Sequence, residues 1–152
     1  MSRRYGMEKL TLAQAAEKME SGLHCSQVVI EHCADILGLD KELVMKLSAG
    51  LGGGCKHGEI CGTLTGGIMA LGYAYGFATG PEEKENTLLV DKVHELEDRF
   101  IEKHGTLYCR DLLQFDKGKP EGPGNMPRDD MFEICHGLCE DVCEIMDDLL
   151  AK

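Results

Sequence analysis

Between Ile60 and Pro81 the chain carries no charged residue, while Gly62, Gly66, Ala70 and Ala74 recur once per helical turn. Residues four apart share one face of an α-helix, so this stretch offers a stripe of small side chains to which another backbone can pack closely. The segment is long enough to cross a bilayer. Its glycines and threonines make it weakly hydrophobic, however, and no basic cluster or tryptophan anchors its ends. The expectation is therefore a buried central helix, surrounded by others, and no membrane span.

The rest of the sequence supplies the surrounding helices. Leu10, Leu12, Ala13, Ala16 and Met19 predict a helix from about Leu10 to Glu20, closed by Gly22. A second opens at Cys25-Ser26 and ends at Gly38, which suits the left-handed residue after a helix. Asp40 predicts the N-cap of a short helix through Leu43, Val44 and Leu47, stopped by Gly50. Gly50 to Gly58 reads GLGGGCKHG, too glycine-rich for regular structure, and predicts a loop whose backbone, at Gly52, Gly53 and Gly54 above all, can approach a bound group closely.

Pro81-Glu82-Glu83 begins a long polar helix, with proline in its first turn and Leu89, Val93, Leu96 and Phe100 as its apolar stripe, to about Lys103. Cys109 to Leu113 form a short element, and Phe115 to Pro127, with three prolines and three glycines, predicts an irregular loop. A last helix starts near Arg128 or Asp129 and runs almost to Lys152. With no alternating strand pattern and no repeat, the predicted architecture is all-α: a single cysteine-rich domain over residues 1–152, a bundle of five to six helices, with residues 1–8 as a flexible N-terminus.

A chain of 152 residues buries enough surface to stand without disulfides or metal, so its eight cysteines call for another explanation. Acidic residues outnumber basic ones 27 to 16, for a net charge of −11, and Arg3-Arg4 is the only basic pair, which argues against nucleic acid as a partner. Met1 to Gln14 holds no apolar run of the length a secretory signal needs, so the expected location is cytoplasmic. In a reducing compartment, cysteines in quantity point to metal binding or thiol chemistry.

Cys25 and Cys61 fall at predicted helix starts, where free backbone N–H groups favour the thiolate and lower a cysteine pKa. The competing account of each is a small buried hydrophobe. Cys55 and Cys61 bracket His57 in a spacing that is not a standard zinc pattern, although a loop can wrap such side chains onto one ion. Cys135, Cys139 and Cys143 repeat every fourth residue, forming one stripe with Leu138, Val142 and Met146 that faces the core or a site within it. His24, His32, His94, His104 and His136 show no ligand spacing. No C-x-x-C, no paired zinc-ribbon pattern and no phosphate loop occurs.

The run LSAGLGGGCKHGEICGTLTGGIMALGYAYG, with HCSQVV upstream and CRDLL downstream, resembles the redox-active family named for its C_GCAxxG_C_C pattern, over Leu10 to nearly the end of the chain. The resemblance implies four shared cysteines, carried here onto Cys25, Cys61, Cys109 and Cys139. Cys139 is chosen because Val142 continues its pattern, and Cys135 with Leu138 fits the same slot. Two departures stand out. Thr63 replaces the usual alanine of the cysteine-glycine block, and Cys33, Cys55, Cys135 and Cys143 exceed the set of four.

Three functions remain open at this level. In the first, Cys61 reacts with a small oxidant or a redox partner protein and Cys25 or Cys109 resolves the mixed disulfide. In the second, Cys25, Cys61, Cys109 and Cys139, with Cys55 and Cys135 as possible extras, bind zinc or an iron–sulfur cluster. In the third, the cysteines only pack, in a helical interaction module. The small-residue stripe suits a homodimer as well as a monomer.

Overall fold

The computed structural model describes residues 8–114 and 128–151, the side chain of Arg128 excepted. All but Glu8 of the expected flexible N-terminus, and the whole of the expected loop Phe115–Pro127, lie outside the described residues. The described chain forms seven α-helices and no strand: α1 Leu12–Glu20, α2 Cys25–Leu37, α3 Lys41–Ser48, α4 Gly62–Tyr75, α5 Glu83–His104, α6 Cys109–Leu112 and α7 Arg128–Leu149. The all-α expectation holds. The number is seven rather than five or six, because the short element that begins at Cys109 also winds as α-helix.

Helix ends follow local chemistry. Thr11 caps α1: its Oγ1 accepts from the Gln14 N–H at 3.1 Å and the Gln14 side chain accepts from the Thr11 N–H at 2.9 Å. Asp40 accepts from the Leu43 N–H at the start of α3, and Gly38 and Gly105 end α2 and α5 in the left-handed conformation. Glu82, not Pro81, caps α5, so the proline stands one residue before the cap instead of inside the first turn.

At the centre of the bundle α2 and α4 pack against each other more extensively than any other pair. The small-residue stripe explains why. A Cβ on Gly66 would lie 2.6 Å from the Ser26 carbonyl oxygen. Only glycine allows α4 to press its backbone onto α2 there. The stripe is buried at Gly62, Gly66 and Ala70, whereas Ala74, beyond the contact, is exposed. One apolar cluster runs through α1, α2, α4, α5 and α7, with Val28, Leu64, Leu71, Phe100 and Val142 fully enclosed. Its edges are tied by Arg99 to Asp148 and Lys103 to Asp141, both 2.8 Å, and by the Tyr75 hydroxyl donating to the Leu149 carbonyl at 2.7 Å.

The glycine run is more ordered than a loop. Ala49–Leu51 makes a 3-10 turn, and Gly53, Gly54, Cys55 and Lys56 are four consecutive left-handed residues, with φ between 60° and 68°. Left-handed backbone costs a residue with a Cβ about 1–2 kcal/mol, so Cys55 and Lys56 must be held. The Glu59 N–H donates to the Gly54 carbonyl at 2.9 Å, and Lys56 Nζ reaches the Ala49 carbonyl at 3.3 Å.

Candidate functional site

Cys25 is the first residue of α2, Cys61 the cap residue of α4 and Cys109 the first residue of α6, and the fold brings these three helix starts together. A single antiparallel bridge between Ile60 and Tyr108 does part of this work: the Cys61 N–H donates to the Leu107 carbonyl and the Cys109 N–H to the Glu59 carbonyl, each at 2.8 Å. Side chains alternate across extended backbone, so the neighbours of the bridged pair, Cys61 and Cys109, emerge on its other face. Arg110 locks the same corner, donating to the Gly58 carbonyl at 3.0 Å and pairing with Glu59 at 2.7 Å. Cys25 is anchored from α3: Ser26 Oγ donates to the Ser48 carbonyl at 2.8 Å and Gln27 Nε2 to the Met45 carbonyl at 3.0 Å.

Cys25, Cys61 and Cys109 then line one cavity of about 170 Å³ together with Cys135 of α7. Met19, Phe132 and Leu138 make much of its wall apolar, and Gly53 and Thr63 complete it beside the thiols. All eight cysteines are free thiols. The site is tight: a Cβ on Gly62 would stand 2.6 Å from Cys25 Sγ, so glycine after Cys61 is what lets the two cysteines approach.

Burial governs these sulfurs. The lowering expected from the helix starts is overridden, and Cys61 is pushed up to about 12, first by desolvation and then by Cys25. Desolvation pushes Cys109 up to about 12 as well. Cys25 is also raised by burial, but the backbone N–H groups of Gly53 and Ser26, and then Lys56, oppose that rise. It is the thiol with the most polar support. Cys135 and Cys139 are raised further by the same desolvation.

Of the remaining expected residues, Cys139 is fully buried, with its Sγ 3.9 Å from the Cys25 carbonyl, but the cavity wall belongs to Cys135. Cys33 and Cys143 form a second, fully enclosed group near Asp147, whose carboxylate meets His32 Nε2 at 2.8 Å. Cys55 and His57 are exposed on the glycine turn, away from the other thiols' cavity. Among the expected glycines, Gly53 reaches the cavity, Gly52 packs against His24, where a Cβ would lie 2.6 Å from the His24 Cβ, and Gly54 turns the chain. Among the described residues no three His, Cys, Asp or Glu side chains gather closely enough to hold a metal ion. Cys25, Cys61, Cys109 and Cys135 share the lining of one cavity.

A family model described as "Putative redox-active protein (C_GCAxxG_C_C)" matches residues 23–149. The chain belongs to this family. The matched span takes in every residue of the thiol cavity except Met19. Neither a curated protein nor a solved structure matches this C_GCAxxG_C_C protein. No helix among its described residues is long and apolar enough to cross a membrane.

Three contributors to the site were not singled out in the sequence: the Ile60–Tyr108 bridge, the anchoring side chains Ser26 and Gln27, and Phe132 of α7, which faces the cavity beside the expected alternative Cys135. Phe132, Cys135 and Leu138 share a helical face by spacing, so periodicity carried that signal. The bridge had none, since one residue pair shows no alternation.

Proposed function

We propose that the protein is a thiol–disulfide redox protein working through Cys25 and Cys61, with Cys109 and Cys135 beside them. The observation that carries this is the gathering of four cysteines, from four helices far apart in sequence, around one largely apolar cavity. Packing alone does not require thiols to share a wall.

Cys25 is the attacking sulfur. Thiolate, not thiol, is the nucleophile, and the Gly53 and Ser26 N–H groups support the charge on Cys25 against its burial. Its thiolate attacks a disulfide of a partner protein or small molecule, and one partner sulfur leaves as thiolate and takes a proton. Cys61 then gives up its proton and attacks the Cys25 sulfur, which releases the second partner thiol. The pair loses two electrons and two protons, and the partner disulfide gains them. This reverses the roles expected from sequence, in which Cys61 led.

Peptide mapping after mild diamide oxidation tests the reading. The expected product is a Cys25–Cys61 linkage that Cys25→Ser abolishes. If the linkages recovered from folded protein leave out Cys25 and Cys61, the proposal fails.

A further inference from the structure

We infer that Thr63 is a working part of the thiol pair, its hydroxyl holding Cys61 and donating to that sulfur as charge develops on it. The inference rests on the Cys25–Cys61 reading and adds to it a residue that the cysteine pattern does not contain.

Thr63 Oγ1 lies 3.0 Å from Cys61 Sγ, and the residue is fully buried on the cavity wall. Threonine is the wrong choice for a site that asks only for packing: a buried hydroxyl without a partner is costly, and alanine or valine fills such space more cheaply. Here the sulfur is the partner the hydroxyl has. The first turn of α4 fixes this geometry, since residue 63 follows the cap residue by two and its backbone N–H also faces the Cys61 sulfur.

The chemistry follows from the two states of a hydroxyl. While Cys61 is a thiol, Thr63 can accept its proton in a hydrogen bond. When Cys61 must become a thiolate to attack the Cys25 mixed disulfide, the hydroxyl turns and donates. Donation to an ion is stronger than donation to a neutral sulfur, so Thr63 favours ionised Cys61 selectively. Desolvation is the main force against that ionisation, and the hydroxyl is placed to oppose it.

The test uses the full chain carrying Cys55→Ser, which removes the exposed thiol, with a substoichiometric aromatic disulfide, 5,5′-dithiobis(2-nitrobenzoate), as partner. The first thionitrobenzoate released reports attack by Cys25 and the second reports resolution by Cys61. Thr63→Val, which keeps the shape and removes the hydroxyl, should leave the first phase intact, slow the second at neutral pH by about ten-fold or more, and move its pH midpoint upward. Thr63→Ser should restore rate and midpoint. Equal second phases in wild type and Thr63→Val, or a Thr63→Ser variant as slow as Thr63→Val, would overturn the inference and leave the thiol pair standing. A wild-type chain that releases no second equivalent would overturn both.

Discussion

Raising the pH should unfold this protein well before its lysines titrate, and the size of the effect follows from the buried thiols. Cys25, Cys33, Cys61, Cys109, Cys139 and Cys143 are buried, and desolvation is the first cause of a raised pKa at each. In the unfolded chain a thiol titrates near 8.5. Between that value and the folded one, about 12 for Cys61 and Cys109, the native state keeps protons that the unfolded state has lost. The unfolded state is therefore favoured as pH climbs, and the stability these neutral thiols contribute is full below 8.5 and drains above it. Each of the five raised furthest, Cys33, Cys61, Cys109, Cys139 and Cys143, loses about 1.4 kcal/mol per pH unit, so together they approach about 7 kcal/mol by pH 9.5, against a total of about 5–15 kcal/mol for a typical domain. Urea unfolding followed by circular dichroism, at pH 7.5, 8.5 and 9.5 with a phosphine reductant present, should show the midpoint falling steeply over the last unit. Cys33→Ala should flatten the slope by about one proton. A midpoint that stays constant from pH 7.5 to 9.5 would refute the claim that these sulfurs are enclosed and neutral.

The α2–α4 contact makes opposite predictions for two glycines of one helix. Gly66→Ala places a Cβ against the Ser26 carbonyl and should cost about 1–3 kcal/mol, whereas Gly72→Ala meets nothing within 4 Å and should gain up to about 1 kcal/mol in helix propensity, both read by denaturant melts. Native-state alkylation with iodoacetamide should modify exposed Cys55 first and leave Cys33, Cys139 and Cys143 untouched until denaturant is added, as site-resolved mass spectrometry will record. Asp147→Asn weakens the partner of His32 in a nearly enclosed pair and should lower stability by about 1–3 kcal/mol, while a change below about 0.5 kcal/mol would show that the contact carries little.

Much of the architecture was legible because helix ends are written locally. Thr11, Asp40, Gly38 and Gly105 act on backbone groups within four residues of themselves, and the Gly62–Gly66–Ala70 face announced the contact it makes. The cavity was legible only in part. Cys25 and Cys61 were placed at helix starts correctly, but which α7 cysteine reaches the cavity depends on how α7 is rotated against α2 and α6. A repeat of one cysteine per turn looks the same at Cys135, Cys139 and Cys143. Thr63 was visible as a departure from the family block, yet its meaning lies in a 3.0 Å distance, which no spacing encodes.

The misjudged quantity was the balance of forces on the thiols. A helix terminus offers an adjacent charge about 0.3–1 kcal/mol, and about 2 in favourable buried geometry. The rise of Cys61 from 9.0 to about 12 corresponds to about 4 kcal/mol, so desolvation outweighs the dipole. Position at a helix start is therefore not enough to activate a sulfur inside an apolar cavity. Donors aimed at the sulfur must make up the difference, and their arrangement distinguishes otherwise similar cysteines: Gly53 and Ser26 serve Cys25, the hydroxyl and N–H of Thr63 serve Cys61, and Cys109 is left to desolvation and the charge of Cys25. An order of reactivity, Cys25 before Cys61 before Cys109, follows, because Lys56 and the N–H of Cys25 itself add to Gly53 and Ser26, against two donors for Cys61 and none for Cys109.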